Sequence, residues 1–312
     1  MTKHKINKYS AIIDSKDFKS FLETIDNKQI INVIENLKKN IELLESSLIL
    51  PVRFVQSGID SMDFWERFRW ATQSLKPEDR NKENIEKEMQ RLSETRDMTN
   101  IGHTFDVLDK MLDDDNVFAA TMENMFRLNT LHLWTIFEVF SQDLWIKSIN
   151  AYPGTLGKGA FENKKEKCTN QLIREFTDNN FNLNYTDSMG DFLSNYVDFS
   201  GVKDIIKAYR TSFGKTFAPI ERKLLQNKDL LNLQMIRNQI IHKSGIVDKT
   251  FITTVFNLKY KIGDVIVIDG IMFESLCKSV LTAIREIIEY IDFNLKEIKN
   301  TGHKKLQIEL RG

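Results

Sequence analysis

Histidine is the usual proton carrier near neutral pH, and this chain of 312 residues has five: His4, His103, His132, His242 and His303. His4 and His303 fall in polar ends of the chain. His103 follows Gly102 at a junction with no evident partner, and His132 sits in a run so apolar that a satisfied structural role is expected. His242 stands apart, in Leu233-Gln234-Met235-Ile236-Arg237-Asn238-Gln239-Ile240-Ile241-His242-Lys243-Ser244-Gly245. At about 100° per residue of helix, Asn238 and His242 lie about 40° apart on adjacent turns, so the amide can hold the imidazole in one tautomer. Arg237 lies about 140° from His242. Guanidinium and imidazole therefore converge only through the reach of the arginine, or across a two-fold axis that brings a second copy. The same spacing also fits a plainer role, a capping arginine and a surface histidine in a last helical turn, where positive charge is favoured anyway.

Other chemistry-bearing residues are weaker candidates. Glu138 stands in the middle of Leu131, Leu133, Trp134, Ile136, Phe137, Val139, Phe140, Leu144 and Trp145, with Asp143 behind it; a carboxylate in such company must find a partner or shift its pKa upward. Asp113, Asp114 and Asp115 are adjacent, but helical neighbours point about 100° apart and cannot converge on one ion, so a helix start or loop is expected there. Cys168 and Cys277 form no CxxC pair, which suggests neither a zinc site nor a disulfide framework. No metal or other cofactor is expected.

The elements that must position these groups read as helices. Only 4 prolines and 13 glycines occur, too few for the frequent turns of a β-sandwich. Apolar residues recur at helical spacing from about Asn27 to Leu48, with Pro51 as the expected stop, and a short aromatic helix with Trp65, Phe68 and Trp70 is expected over 64–75, its rings in a core rather than as a base-stacking platform. Residues 76–100 carry both signs of charge, as a solvated helix does. A buried helix follows over 118–149, a Gly- and Lys-rich loop over 152–167, and short helices with turns over 170–200. The helix bearing His242 should stop at Gly245 in a left-handed conformation. Phe256 to Ile268 predicts a β-hairpin turning at Lys261-Ile262-Gly263-Asp264, and a long amphipathic helix over 271–298 closes the chain. Lys plus Arg and Asp plus Glu both total 44, which argues against a large non-specific grip on nucleic acid and leaves room for a small local site. The N-terminus lacks the apolar core of a signal peptide, and no stretch approaches the roughly 18 apolar residues of a membrane span. A cytoplasmic protein is expected.

Arg237-Asn238-x-x-x-His242, late in a helix closed by Gly245, resembles the Arg-x4-His signature of the HEPN superfamily. The helix with Leu133-Trp134-x-x-Phe137-Glu138-x-Phe140-x-x-Asp143-Leu144 resembles an early core helix of that fold. The hairpin and terminal helix resemble its end in bacterial stand-alone members. The resemblance spans roughly residues 118–298. It implies a mainly α helical bundle with a small β-hairpin before the C-terminal helix, preceded by an N-terminal helical extension: residues 1–110 as the extension, 111–299 as the HEPN-like domain and 300–312 as a polar tail. It implies a homodimer with a composite active site and a metal-independent endoribonuclease of a toxin or antiviral defence system, with RNA as substrate and an antitoxin or regulatory partner. His242 would then move a proton of the 2′-hydroxyl attack, Arg237 would hold the phosphate, Asn238 would orient His242, and Glu138 would anchor Arg237. Residues 1–110 match nothing in that family, and 155–200 exceed a minimal member. The other reading is a non-catalytic helical dimerisation or nucleotide-binding module.

Overall fold

The structure, a computed structural model, describes residues 15–94, 101–163, 166–170 and 187–309. It is mainly helical: α1 Lys16–Glu23, α2 Ile31–Ser74, α3 Lys82–Glu94, α4 Ile101–Asp114, α5 Asn116–Ala151, α6 Lys158–Asn163, α7 Met189–Ser194, α8 Val202–Phe213, α9 Ala218–Gln226, α10 Lys228–Lys243, α11 Lys249–Thr254 and α12 Gly270–Glu309. The chain forms two compact units. One is built around residues 45–126 with 269–271, the other around 13–44, 127–268 and 272–312, in each case less the residues not described. This division does not follow the boundary expected at residue 110, because the apolar face of early α2 supplies core to the second unit.

That core is assembled from stripes legible in the sequence. Ile34, Leu37, Ile41 and Leu44 of α2, Leu133, Trp134, Phe137 and Leu144 of α5, and Val280, Ile284, Ile287, Ile288 and Ile291 of α12 are all nearly inaccessible to water. Each such side chain stabilises the fold by about 1.5–3 kcal/mol of transfer free energy before entropy is counted. Several of its buried polar groups are matched. The Trp145 indole donates to the Ala208 carbonyl at 3.1 Å and the Ser212 hydroxyl at 3.0 Å, and the Tyr209 hydroxyl donates to the Ser141 carbonyl at 2.8 Å. These bonds fix α8 against α5.

The unit around residues 45–126 departs from expectation twice. Pro51 does not stop α2, which continues through it to Ser74; proline removes one backbone donor, and one missing bond does not end a helix of 44 residues. The aromatic residues expected in a core are largely outside it: Trp65 is 53% exposed and Trp70 70%. Of the three adjacent aspartates, Asp113 and Asp114 end α4 and only Asp115 serves as a helix start. The Asp115 carboxylate accepts from the amides of Val117 and Phe118 and caps α5.

Three further corrections concern the second unit. The expected loop after Tyr152 is a turn of π-helix over Pro153–Gly157 running into α6. A side chain at Gly159 would place its Cβ 2.1 Å from the Thr211 carbonyl oxygen, so only glycine lets α6 lie this close to α8. The β-hairpin is not formed among the described residues. Its turn exists, with Gly263 at φ +90° and the Lys261 amide donating to the Asp264 carboxylate at 2.7 Å. The β-branched run beyond it pairs elsewhere: Val247 and Ile266 donate to the carbonyls of Asp264 and Gly245, forming one isolated antiparallel bridge, Ile246 to Val265. The intended partner strand is occupied, because buried Asn232 receives the Phe256 amide at 2.8 Å and donates to its carbonyl at 2.9 Å. The expected polar tail continues α12 as far as Glu309.

Candidate active site

α10 carries Arg237, Asn238 and His242, and both of its ends are fixed. At the start, Asn227 accepts from the Leu230 amide at 3.2 Å while its own amide donates to the Ser279 carbonyl of α12. At the end, Ser244 (φ +53°) and Gly245 (φ +79°) both turn left-handed. The Gly245 amide returns to the Gln239 carbonyl at 2.9 Å and closes the end of the helix. The left-handed turn was expected at Gly245; it begins one residue earlier, at Ser244. Buried Gln239 donates to the Ile246 carbonyl at 3.0 Å, and the Arg127 guanidinium donates to the Ile266 carbonyl at 3.2 Å. The segment after the helix is thereby tied back to it.

Leu233, Ile236 and Gln239 form the inner side of α10, whereas Ile241 and His242 are exposed and Arg237 and Asn238 half-buried. The motif therefore lies on the open half of the helix. Its arginine is held from two directions. Arg237 Nη1 donates to Asn238 Oδ1 at 2.9 Å, and Nη2 lies 3.9 Å from Glu138 Oε2 on α5. Glu138 is itself positioned by the buried Trp134, whose Nε1 donates to the same Oε2 at 2.7 Å. With side chains about one quarter exposed, the Arg–Glu pair is screened less than a surface pair would be.

Glu138 was expected to anchor Arg237, and the structure brings the two together. Asn238 was expected to orient His242; here its amide oxygen serves Arg237. The reason is reach, because the guanidinium folds back over the next residue while the imidazole projects to solvent. Among the described residues no hydrogen bond joins His242 to Arg237, Asn238 or Glu138. Sequence reasoning missed Trp134 as the holder of Glu138, although the i,i+4 spacing of an indole donor and a carboxylate was visible. Gln239 and Arg127, which fix the end of α10, had no such local signal.

Other titratable groups in this unit are set by burial. Asp143 has its pKa raised, first by burial, with Asp191 adding to the rise and Lys147 opposing it. Tyr209, wholly enclosed, has its hydroxyl pushed well above the usual phenol range by burial and then by Asp143. Burial lowers the pKa of His132, in keeping with a structural histidine. The side chains of His4, His103 and His303 lie outside the described residues. Among the described residues no cluster of His, Cys, Asp and Glu is arranged to hold a metal ion, and no helix is long and apolar enough to cross a membrane. Cys168 and Cys277 are both buried, and neither is in a disulfide.

The described residues thus form a mainly helical fold with a half-buried arginine and an exposed histidine on one helix. No family model, no curated protein and no solved structure matches the chain.

Proposed function

We propose that this protein is a metal-independent endoribonuclease of the HEPN type, serving in a toxin or defence system, with Arg237 and His242 as its reacting pair. The observation that carries the reading is the held arginine. A guanidinium clamped by Asn238 and by the Trp134-positioned Glu138 is pre-organised to receive a phosphate, and an arginine matches phosphate geometry with paired donors. His242, exposed five residues further along the same helix, is free to take the proton from a ribose 2′-hydroxyl or to return one to the leaving 5′-oxygen. In that reaction the 2′-oxygen attacks phosphorus, the bond to the 5′-oxygen breaks, and a 2′,3′-cyclic phosphate remains. Arg237 neutralises charge building on the non-bridging oxygens. DNA lacks the internal nucleophile, so RNA is the substrate.

A second copy fits the same face. Val139, next to Glu138, and Ile241, next to His242, are 41% and 50% exposed, and covering them with the two-fold mate would enclose the polar groups in a drier site. The test is incubation of the purified protein with total RNA in EDTA, followed by mapping of the ends. Products ending in 2′,3′-cyclic phosphate that disappear in His242→Ala are expected. Cleavage by His242→Ala at the wild-type rate refutes the assignment.

A further inference from the structure

Among the described residues, the part of α2 within the first unit leaves an apolar face exposed, and its pattern points to what covers it. Leu50, Phe54, Met62 and Trp65 are 49%, 68%, 69% and 53% exposed. Phe54, Gly58, Ser61 and Trp65 follow one another at intervals of 4, 3 and 4 residues, so they share one face of a helix, the spacing of a helix-pairing seam. Trp65 is braced edge-on by Phe64 and Phe68, both ring centres 5.6 Å away. Its exposure is thus built into the unit rather than left by a loose side chain.

We infer that this seam packs against the same seam of a second copy of the chain. Large aromatics stand on either side of a small centre, and at Gly58 an added Cβ would meet nothing within 4 Å. When two such faces meet, small residues lie against small ones and the helices approach closely, while the rings fill the layers on either side. A surface that complements itself is what a two-fold interface requires. Charge favours a protein partner over a polynucleotide. Between residues 50 and 72 three basic residues, Arg53, Arg67 and Arg69, are balanced by Asp60, Asp63 and Glu66, and no basic excess exists to track phosphates. The four exposed apolar side chains contribute roughly 100 Å² each, or about 800 Å² over two copies, with flanking contacts adding to this; that is the low end for specific association and implies a weak, micromolar dimer. The inference does not depend on the ribonuclease reading, since none of these residues belongs to the motif.

The test is disulfide trapping at about 50 µM protein, where a micromolar dimer is populated. Both native cysteines are buried, so cross-links report only introduced thiols. Ser61→Cys alone, or mixed in equal amounts with Gly58→Cys, is expected to give a covalent dimer under mild oxidation, whereas Lys82→Cys on α3, 90% exposed, gives none. Trp65→Glu should weaken the association at least about 10-fold by sedimentation while leaving helicity by circular dichroism unchanged. Absence of the covalent dimer, together with a native mass indifferent to Trp65→Glu, overturns the inference. Loss of single-stranded RNA binding in Trp65→Glu with no change in mass overturns it too, in favour of a base-stacking face. A dimer formed only through the motif face gives no Ser61 or Gly58 cross-link, which separates the two proposals.

Discussion

Glu138 holds two groups at once, and removing it separates a structural from a chemical role. In Glu138→Ala the Trp134 indole, 1% exposed, loses the acceptor at 2.7 Å. A buried donor left unpaired costs about 1–3 kcal/mol. The Arg237 contact at 3.9 Å is too long for a strong hydrogen bond and adds roughly 0.5 kcal/mol at most. The expected loss is about 2 kcal/mol, seen as a fall of several degrees in melting temperature. Glu138→Gln is the informative partner. Its amide oxygen still accepts from Trp134, so stability should stay within about 0.5 kcal/mol of wild type, but the negative charge that fixes Arg237 is gone. If the carboxylate positions that guanidinium for phosphate, kcat on RNA falls about 10-fold in Glu138→Gln without a matching change in melting. Differential scanning calorimetry and single-turnover cleavage read the two effects. A Glu138→Ala protein that melts like wild type would refute the reasoning about Trp134. A Glu138→Gln protein that cleaves like wild type would refute the reasoning about Arg237.

Arg237→Ala and His242→Ala should each reduce RNA cleavage by about 100-fold or more, and because both side chains sit on the open half of α10, helicity and melting of His242→Ala should be unchanged. Asn232→Ala strands both backbone groups of Phe256 and should destabilise the protein by about 2 kcal/mol, measured by urea unfolding; an unchanged midpoint would mean that water replaces the amide. Asp143 has a raised pKa in the folded protein, so the folded state holds its proton more tightly than the unfolded chain does. Its contribution to stability is therefore lost as pH rises through that window. Asp143→Asn, which stays neutral, should melt higher than wild type at pH 7, with the difference shrinking toward about pH 4; a constant difference across that range would assign the effect to something other than ionisation.

The helices were legible wherever burial imposed one period on the sequence. The stripe from Val280 to Leu295 and the apolar run around Trp134 appear in the structure as read. What failed was punctuation. Pro51 reads as a stop because proline usually ends helices, yet α2 tolerates the single missing donor. Trp65 and Trp70 read as core because aromatics usually are, and nothing local says that they stand exposed on α2. The hairpin failed for a non-local reason: its turn chemistry was right, but Asn232, more than 20 residues away, holds Phe256, and residues 245–247 take the other strand's bonds. At the site, Arg237 and Glu138 met as expected. The Asn238 bond went to the arginine because helical angle decides which residues share a face but not which of two neighbours a flexible side chain reaches.

The two enclosed thiols have a practical consequence. Cys168 and Cys277 are each at most 2% exposed, so alkylating reagents should modify them only when the fold opens, and the labelling rate becomes a clock for opening. A molecule that binds the folded form slows that clock in proportion to its occupancy. RNAs, nucleotides and protein partners can then be screened by protection alone, on an inactive His242→Ala chain as readily as on the wild type, before any product has been seen.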